Sequence, residues 1–208
     1  MPYLVPMIGK YVALWGCLLW AGTVVAQPTA DARAILALVA RMDADIAERG
    51  QQSGQQQMTV TLEVAQSNGE VLKRIVRYAH DPVPVVYGED ARLHRVIVDY
   101  LNGDSLHVSE QYYFHQGDVF FVELQYEDNA CSGESLFFHN RKLIQLAHWA
   151  HADATGCGLL RASEVGYEGV KGLPEARLRD ALFRQIQARE YLAAFLAFSR
   201  TLQQQGRY

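Results

Sequence analysis

The chain has 208 residues, half of them hydrophobic and 20% charged, with 16 Gly and 6 Pro. A chain of that length and composition buries a core without metals or a lattice of disulfides, so disorder, collagen-like sequence and a small disulfide scaffold are excluded. Its 19 basic against 23 acidic residues give a formal charge of −4. That balance offers no footprint for neutralising phosphates, and nucleic acid is not an expected partner.

Residues 1–26 read as a signal peptide, with Lys10 as the positive region, Tyr11 to Trp20 as the apolar core and Val24-Val25-Ala26 as a small-residue cleavage site. Cleavage after Ala26 leaves residues 27–208 as a single periplasmic or secreted domain with no membrane span. An uncleaved anchor is the alternative, although the 16 residues from Tyr11 to Ala26 are short for a bilayer. The stretch Leu14-Trp15-Gly16-Cys17 is a poor lipidation site, with a bulky Trp beside the cut. The same cleavage removes Cys17 and leaves Cys131 and Cys157 as an even pair in an oxidising compartment, where one disulfide is expected. A nucleophilic Cys131 served by His139 or His148 lacks any neighbour in sequence that would lower its thiol pKa.

From Pro28 the apolar residues Ile35, Leu38, Val39, Met42 and Ile46 fall at helical spacing, with Thr29 or Asp31 as a start signal and Gly50 as a stop. Residues 51–57 form a polar, Gln-rich linker. The period then changes to two: Met58, Val60, Leu62 and Val64 alternate with polar partners, and Ser67-Asn68-Gly69 signals a hairpin. The unit recurs, since Glu110 to Val122 aligns with Glu134 to Leu146 at an offset of 24 residues. With a degenerate copy turning near Gly88 to Ala91, four hairpins predict a meander of about eight antiparallel strands, curled toward an open barrel.

Register follows from charge. A two-residue turn at Gln116-Gly117 would set Glu110 opposite Glu123, whereas a three-residue loop pairs Tyr112 with Phe120, Val108 with Leu124 and Leu106 with Tyr126. The second register is therefore expected, and in the first hairpin it pairs Val64 with Leu72, Val60 with Val76 and Glu63 with Lys73. After the strands, Leu173 to Gln205 predicts a helix with Pro174 in its first turn and a broad apolar face of Leu178, Leu182, Ile186, Leu192, Phe195, Leu196, Phe198 and Leu202. The expected architecture is α+β, helix then meander then helix, with both helices on the apolar sheet face. The opposite face carries Thr59/Arg77, Glu63/Lys73, His107/Gln125, Ser109/Glu123 and Gln111/Phe121, and turns apolar at Tyr113/Val119 and Phe137/Leu143.

The units Tyr113-Phe114-His115-Gln116-Gly117-Asp118-Val119 and Phe137-Phe138-His139-Asn140-Arg141-Lys142-Leu143 resemble the Tyr-Tyr-x-x-Gly-x-Leu hairpin repeats of MORN-like proteins and of secreted bacterial proteins built from similar hairpins. The resemblance covers roughly residues 58–149, and Arg141 stands where the pattern has Gly. It implies a structural or binding role and transfers no catalytic residue.

Chemistry elsewhere is sparse. His148 and His151 with Asp153 have the composition of a metal site, but positions three apart on a strand face opposite sides, so no metal or cofactor is expected. Glu123 and Glu134 form a glycosidase pair only at a suitable separation inside a cleft. His115 and His139 read as turn residues. The outer sheet face, with His107, Gln111, Tyr113, Phe121, Glu123, Gln125 and Phe137, is the expected binding surface, because apolar groups on a nominally open face mark something that covers them. The cover is either the chain's own segment 150–172, tethered by Cys131 and Cys157, or a protein partner, a second copy or a ligand. A non-enzymatic exported binding protein of the inhibitor or neutralising type is the leading reading. A carrier of an apolar, lipid-like molecule between sheet and helices is the alternative, and an enzyme the third.

Overall fold

A computed structural model describes residues 27–51, 56–65, 71–84, 91–103, 105–126, 131–151 and 157–205. The expected signal peptide, most of the polar linker and the turns at Ser67-Asn68-Gly69 and Gly88 to Asp90 lie outside the described residues. Helix α1 (Ala30–Gln51) is followed by strands β1 (Gln56–Ala65), β2 (Val71–His80), β3 (Leu93–Asn102), β4 (Ser105–His115), β5 (Asp118–Tyr126), β6 (Ser132–His139), β7 (Lys142–Ala150) and β8 (Glu164–Gly169), then by α2 (Glu175–Gln205). The strands form one antiparallel sheet in chain order, with β1 and β8 at its edges. The eighth strand comes from within the segment expected to be a cover, and the hairpin expected to turn near Gly88 is the antiparallel pair of β2 and β3.

Thr29 starts α1, its Oγ1 accepting the Ala32 N–H at 3.2 Å. The first hairpin has the expected register, with Glu63 opposite Lys73 and Val60 opposite Val76. The second does not. Gln116 and Gly117 both take positive φ, 53° and 82°, and make a two-residue turn with His115 opposite Asp118. The register then shifts between Tyr113 and Phe114, so that Gln111, not Glu110, faces Glu123, and Val108 faces Tyr126. The like-charge contact is avoided by a bulge at Phe120 instead of a longer loop. Because of that bulge, Phe120 and Phe121 point to one face and Val119 to the other. The next repeat copies the device: Asn140 and Arg141 take φ of 48° and 63°, and the register shifts between Phe137 and Phe138. Arg141 occupies the glycine position, and its Nε donates to Asp118 Oδ1 at 2.7 Å, tying one hairpin tip to the next.

The helices lie on opposite faces, which corrects the expectation that they share one. Helix α2 packs on Val76, Tyr78, Val96, Val98, Tyr112, Phe114 and their neighbours. Helix α1 packs Ala32, Ile35 and Val39 against Tyr113, Phe120, Phe121, Phe137 and Trp149. The sheet is thus the middle of three layers and does not close. Helix α2 turns only part of the predicted face inward: Phe195 is buried and Leu192 and Leu196 pack against the same core. Its buried stripe is Ala181, Gln185, Ala188, Tyr191, Phe195, Ser199 and Gln203, while Leu178, Leu182, Ile186, Phe198 and Leu202 are exposed.

Candidate functional site

The residues expected to form an open binding surface fall in three places. Tyr113, Phe121 and Phe137 are core residues beneath α1. Glu123 is also buried, Gln111 and Gln125 are half-buried, and His107 is exposed. The expected cover of this face is therefore supplied first by α1 and then by residues 157–162, from which Leu159 enters the same core.

A polar centre sits where these layers meet. Asp43 on α1 accepts a hydrogen bond from Arg95 Nη1 at 2.8 Å, and its Oδ1 lies 3.1 Å from the Tyr113 hydroxyl. The same hydroxyl lies 3.2 Å from Gln111 Oε1. Glu123 accepts the backbone N–H of Leu159. His151 Nε2 lies 2.9 Å from the Gly158 carbonyl, and because a carbonyl only accepts, that nitrogen carries the proton. Gly158 has φ of 124°, and a Cβ there would stand 3.3 Å from Glu123 Oε1. The Cys131–Cys157 disulfide, with Cα atoms 5.2 Å apart, fixes the start of this strap. Burial pushes the Glu123 carboxyl above its ordinary range, against the Leu159 N–H, which favours the charged form. Burial raises Asp43 as well, against the neighbouring Arg95 guanidinium.

A second set of charges clamps α2 to the other face. Glu110 is buried, accepts from Arg184 and receives the Tyr112 hydroxyl at 2.6 Å. Arg177 Nη1 reaches both oxygens of Glu134, at 2.7 and 2.8 Å. His148 stands 3.5 Å from Glu134 and 3.3 Å from Glu168. Glu123 and Glu134 face opposite layers and cannot act on one substrate. His148 and His151 are likewise apart, one facing Glu134 and the other the strap. Among the described residues no group of three His, Cys, Asp or Glu side chains is arranged to hold a metal ion.

Asp43, Arg95, Arg177 and Arg184 escaped the sequence reading. One signal was available: Glu110 sits among Val108, Tyr112 and Phe114 on the apolar face of β4, where a carboxylate needs a cation. Arg177 and Arg184, seven apart, lie on one side of α2 and supply two.

Among the described residues an exposed apolar surface lies on α2 and on β1 and β2. Leu178, Leu182 and Ile186 form a ridge at i, i+4 and i+8, with Phe183 beside it, and Leu182 is 56% exposed. Val60, Leu62, Val64 and Leu72 are exposed on β1 and β2. By contrast, cavities between the sheet and α1 and between the sheet and α2 measure about 30 Å³ and about 10 Å³. Those volumes suit a water at most. No family model, no curated protein and no solved structure matches this chain. Among the described residues no helix is long and apolar enough to cross a membrane.

Proposed function

We propose that this is an exported, non-enzymatic binding protein that recognises another protein, as an inhibitor or neutralising factor does, through the outer side of α2. The observation that carries the reading is the orientation of that helix. Its inward stripe is made of small and polar residues with two aromatics, and most of its large aliphatic residues point outward. A contiguous apolar ridge on the side of a helix that faces away from its own core marks a surface that a partner covers, and a ridge of Leu178, Leu182 and Ile186 is the geometry by which helices pack on partner surfaces. The disulfide-bonded pair Cys131–Cys157 supports work in an oxidising compartment. The non-enzymatic part rests on the ionisable groups: the Asp43, Glu123, Glu110 and Glu134 centres serve as clamps that hold α1, the strap and α2 on the sheet. Water-sized cavities between the sheet and each helix disfavour a lipid carried there, and the larger hollow of about 500 Å³ beside His148, Trp149 and Val165 lies open along β7 and β8 instead of being enclosed by a helix.

A photo-crosslinking amino acid placed at Leu182 or Ile186, in the cells that make the protein, should give a discrete heavier product. The same group at exposed Lys142 should not. Equal products from both positions, or none from either, would overturn the reading.

A further inference from the structure

Beyond the α2 surface and independently of it, we propose that β1 is the pairing edge for a second copy of this chain, joined antiparallel about a two-fold axis through Thr61. The two sheet edges are built differently. Strand β8 is short, six residues with two Glu, and shortness and charge guard an edge against pairing, whereas the single Glu of β1, Glu63, is already paired with Lys73. Strand β1 has ten residues with no Gly, Pro, Lys or Arg, and among the described strands it pairs only with β2. Its side chains on the α2 face form an exposed apolar row, with Val64 at 62% and Leu62 at 50%. Among the described residues the edge therefore carries a line of backbone donors and acceptors with no strand beside it, next to exposed apolar side chains.

The sequence of β1 matches itself in one register. With Thr61 on the axis, Val60 faces the copy's Leu62, and Met58 faces its Val64, so the apolar row continues across the join. On the other face Thr61 meets Thr61, Thr59 meets Glu63 and Gln57 meets Ala65. Glu63 already pairs with Lys73 at 3.1 Å, and Thr59 is flanked by Arg77. Across the join the order is thus Arg77, Thr59, Glu63, Lys73, in which neighbouring charges are opposite and no like pair meets. An axis through Val60 would set Gln57 against Glu63 and carry Val64 onto Gln56, and an axis through Leu62 would take Met58 beyond the strand's end. A two-fold axis normal to the sheet leaves both copies of α2 on one side and both of α1 on the other, making one sheet of doubled width.

Sedimentation of the full chain, carrying Cys17→Ser throughout, tests this by mass, and a short thiol cross-linker tests it by register. The protein should reach twice the monomer mass with rising concentration. Thr61→Cys should cross-link to itself, while Thr59→Cys and Glu63→Cys should cross-link only when mixed. Leu62→Lys, at a position already half-exposed in the single copy, should keep the circular dichroism spectrum and lose the dimer. A monomer at every concentration would overturn the proposal, and so would a dimer that survives Leu62→Lys without the on-axis cross-link. If Leu62→Lys fails to fold, the cysteine pattern decides alone.

Discussion

Single residues carry constraints that the burial pattern alone hides. Gly133 pairs with Trp149 across β6 and β7, and a Cβ on it would lie 2.0 Å from the Leu124 carbonyl oxygen and 2.4 Å from the Trp149 ring. Backbone on one side and an indole fixed by its 3.1 Å hydrogen bond to Ser135 on the other leave no room to adjust. Gly133→Ala should therefore cost about 3 kcal/mol or more by overpacking, measured by urea unfolding against an unchanged Gly166→Ala control, where nothing lies within 4 Å. Glu123 makes a prediction about pH. Its folded pKa lies above the ordinary value of 4.5, so between those two pH values the folded state holds a proton that the unfolded state has lost. Its contribution to stability is then greatest below pH 4.5 and falls as pH rises through the folded value. Glu123→Gln, whose amide oxygen still accepts from Leu159, should flatten the decline of melting temperature from acid to neutral pH. An unchanged profile would show that the strap does not desolvate this carboxyl.

Elements were legible where one charge fixed the answer and illegible where geometry offered two solutions to the same problem. In the first hairpin the register carried over from the three-residue loop sets Glu63 opposite Lys73, a charge match that checks it, and it is the register observed. The clash of Glu110 with Glu123 was equally visible, but a longer loop and a bulge both relieve it, and nothing in the local residues chooses between them. Helix α2 was misread for a packing reason. The sheet supplies large side chains to that layer, Tyr112, Phe114, Leu136 and Phe138 among them, so the first half of the helix approaches with Ala181 and Ala188 and leaves Leu178, Leu182 and Ile186 outside, while Leu192, Phe195 and Leu196 pack inward as expected. Hydrophobic pattern alone selects the larger residues. The strap belongs to this scale as well. Its disulfide closes a separation of 26 residues, and in the chain-entropy picture reduction should cost roughly 3 kcal/mol. Freed residues 157–162 should lift Leu159 from Trp149. In the chain from residue 27 onward Trp149 is the only tryptophan, so its emission should shift to the red on reduction. Emission that stays constant would mean α1 alone seals that core.

At the scale of the molecule the three layers are unequal. The α1 side is closed by its helix, the strap and the Asp43–Arg95 contact. The α2 side is clamped inward by Arg177 and Arg184 and left apolar outward. The order helix, meander, helix follows from periodicity; the count of eight agrees as well, but β8 comes from the segment expected to be a cover, and the placement of a helix on each face does not follow, because aromatic hairpin tips read equally as open surface or as core. The outer side of α2 is predicted to be covered when the protein is at work. Hydroxyl-radical footprinting of Leu178, Leu182, Phe183 and Ile186 tests it directly, comparing purified protein with protein labelled in the cells that make it. Strong labelling when purified and marked protection in place, with exposed Leu160 labelled equally in both, is the predicted result. Equal labelling of the α2 residues in the two settings would contradict it.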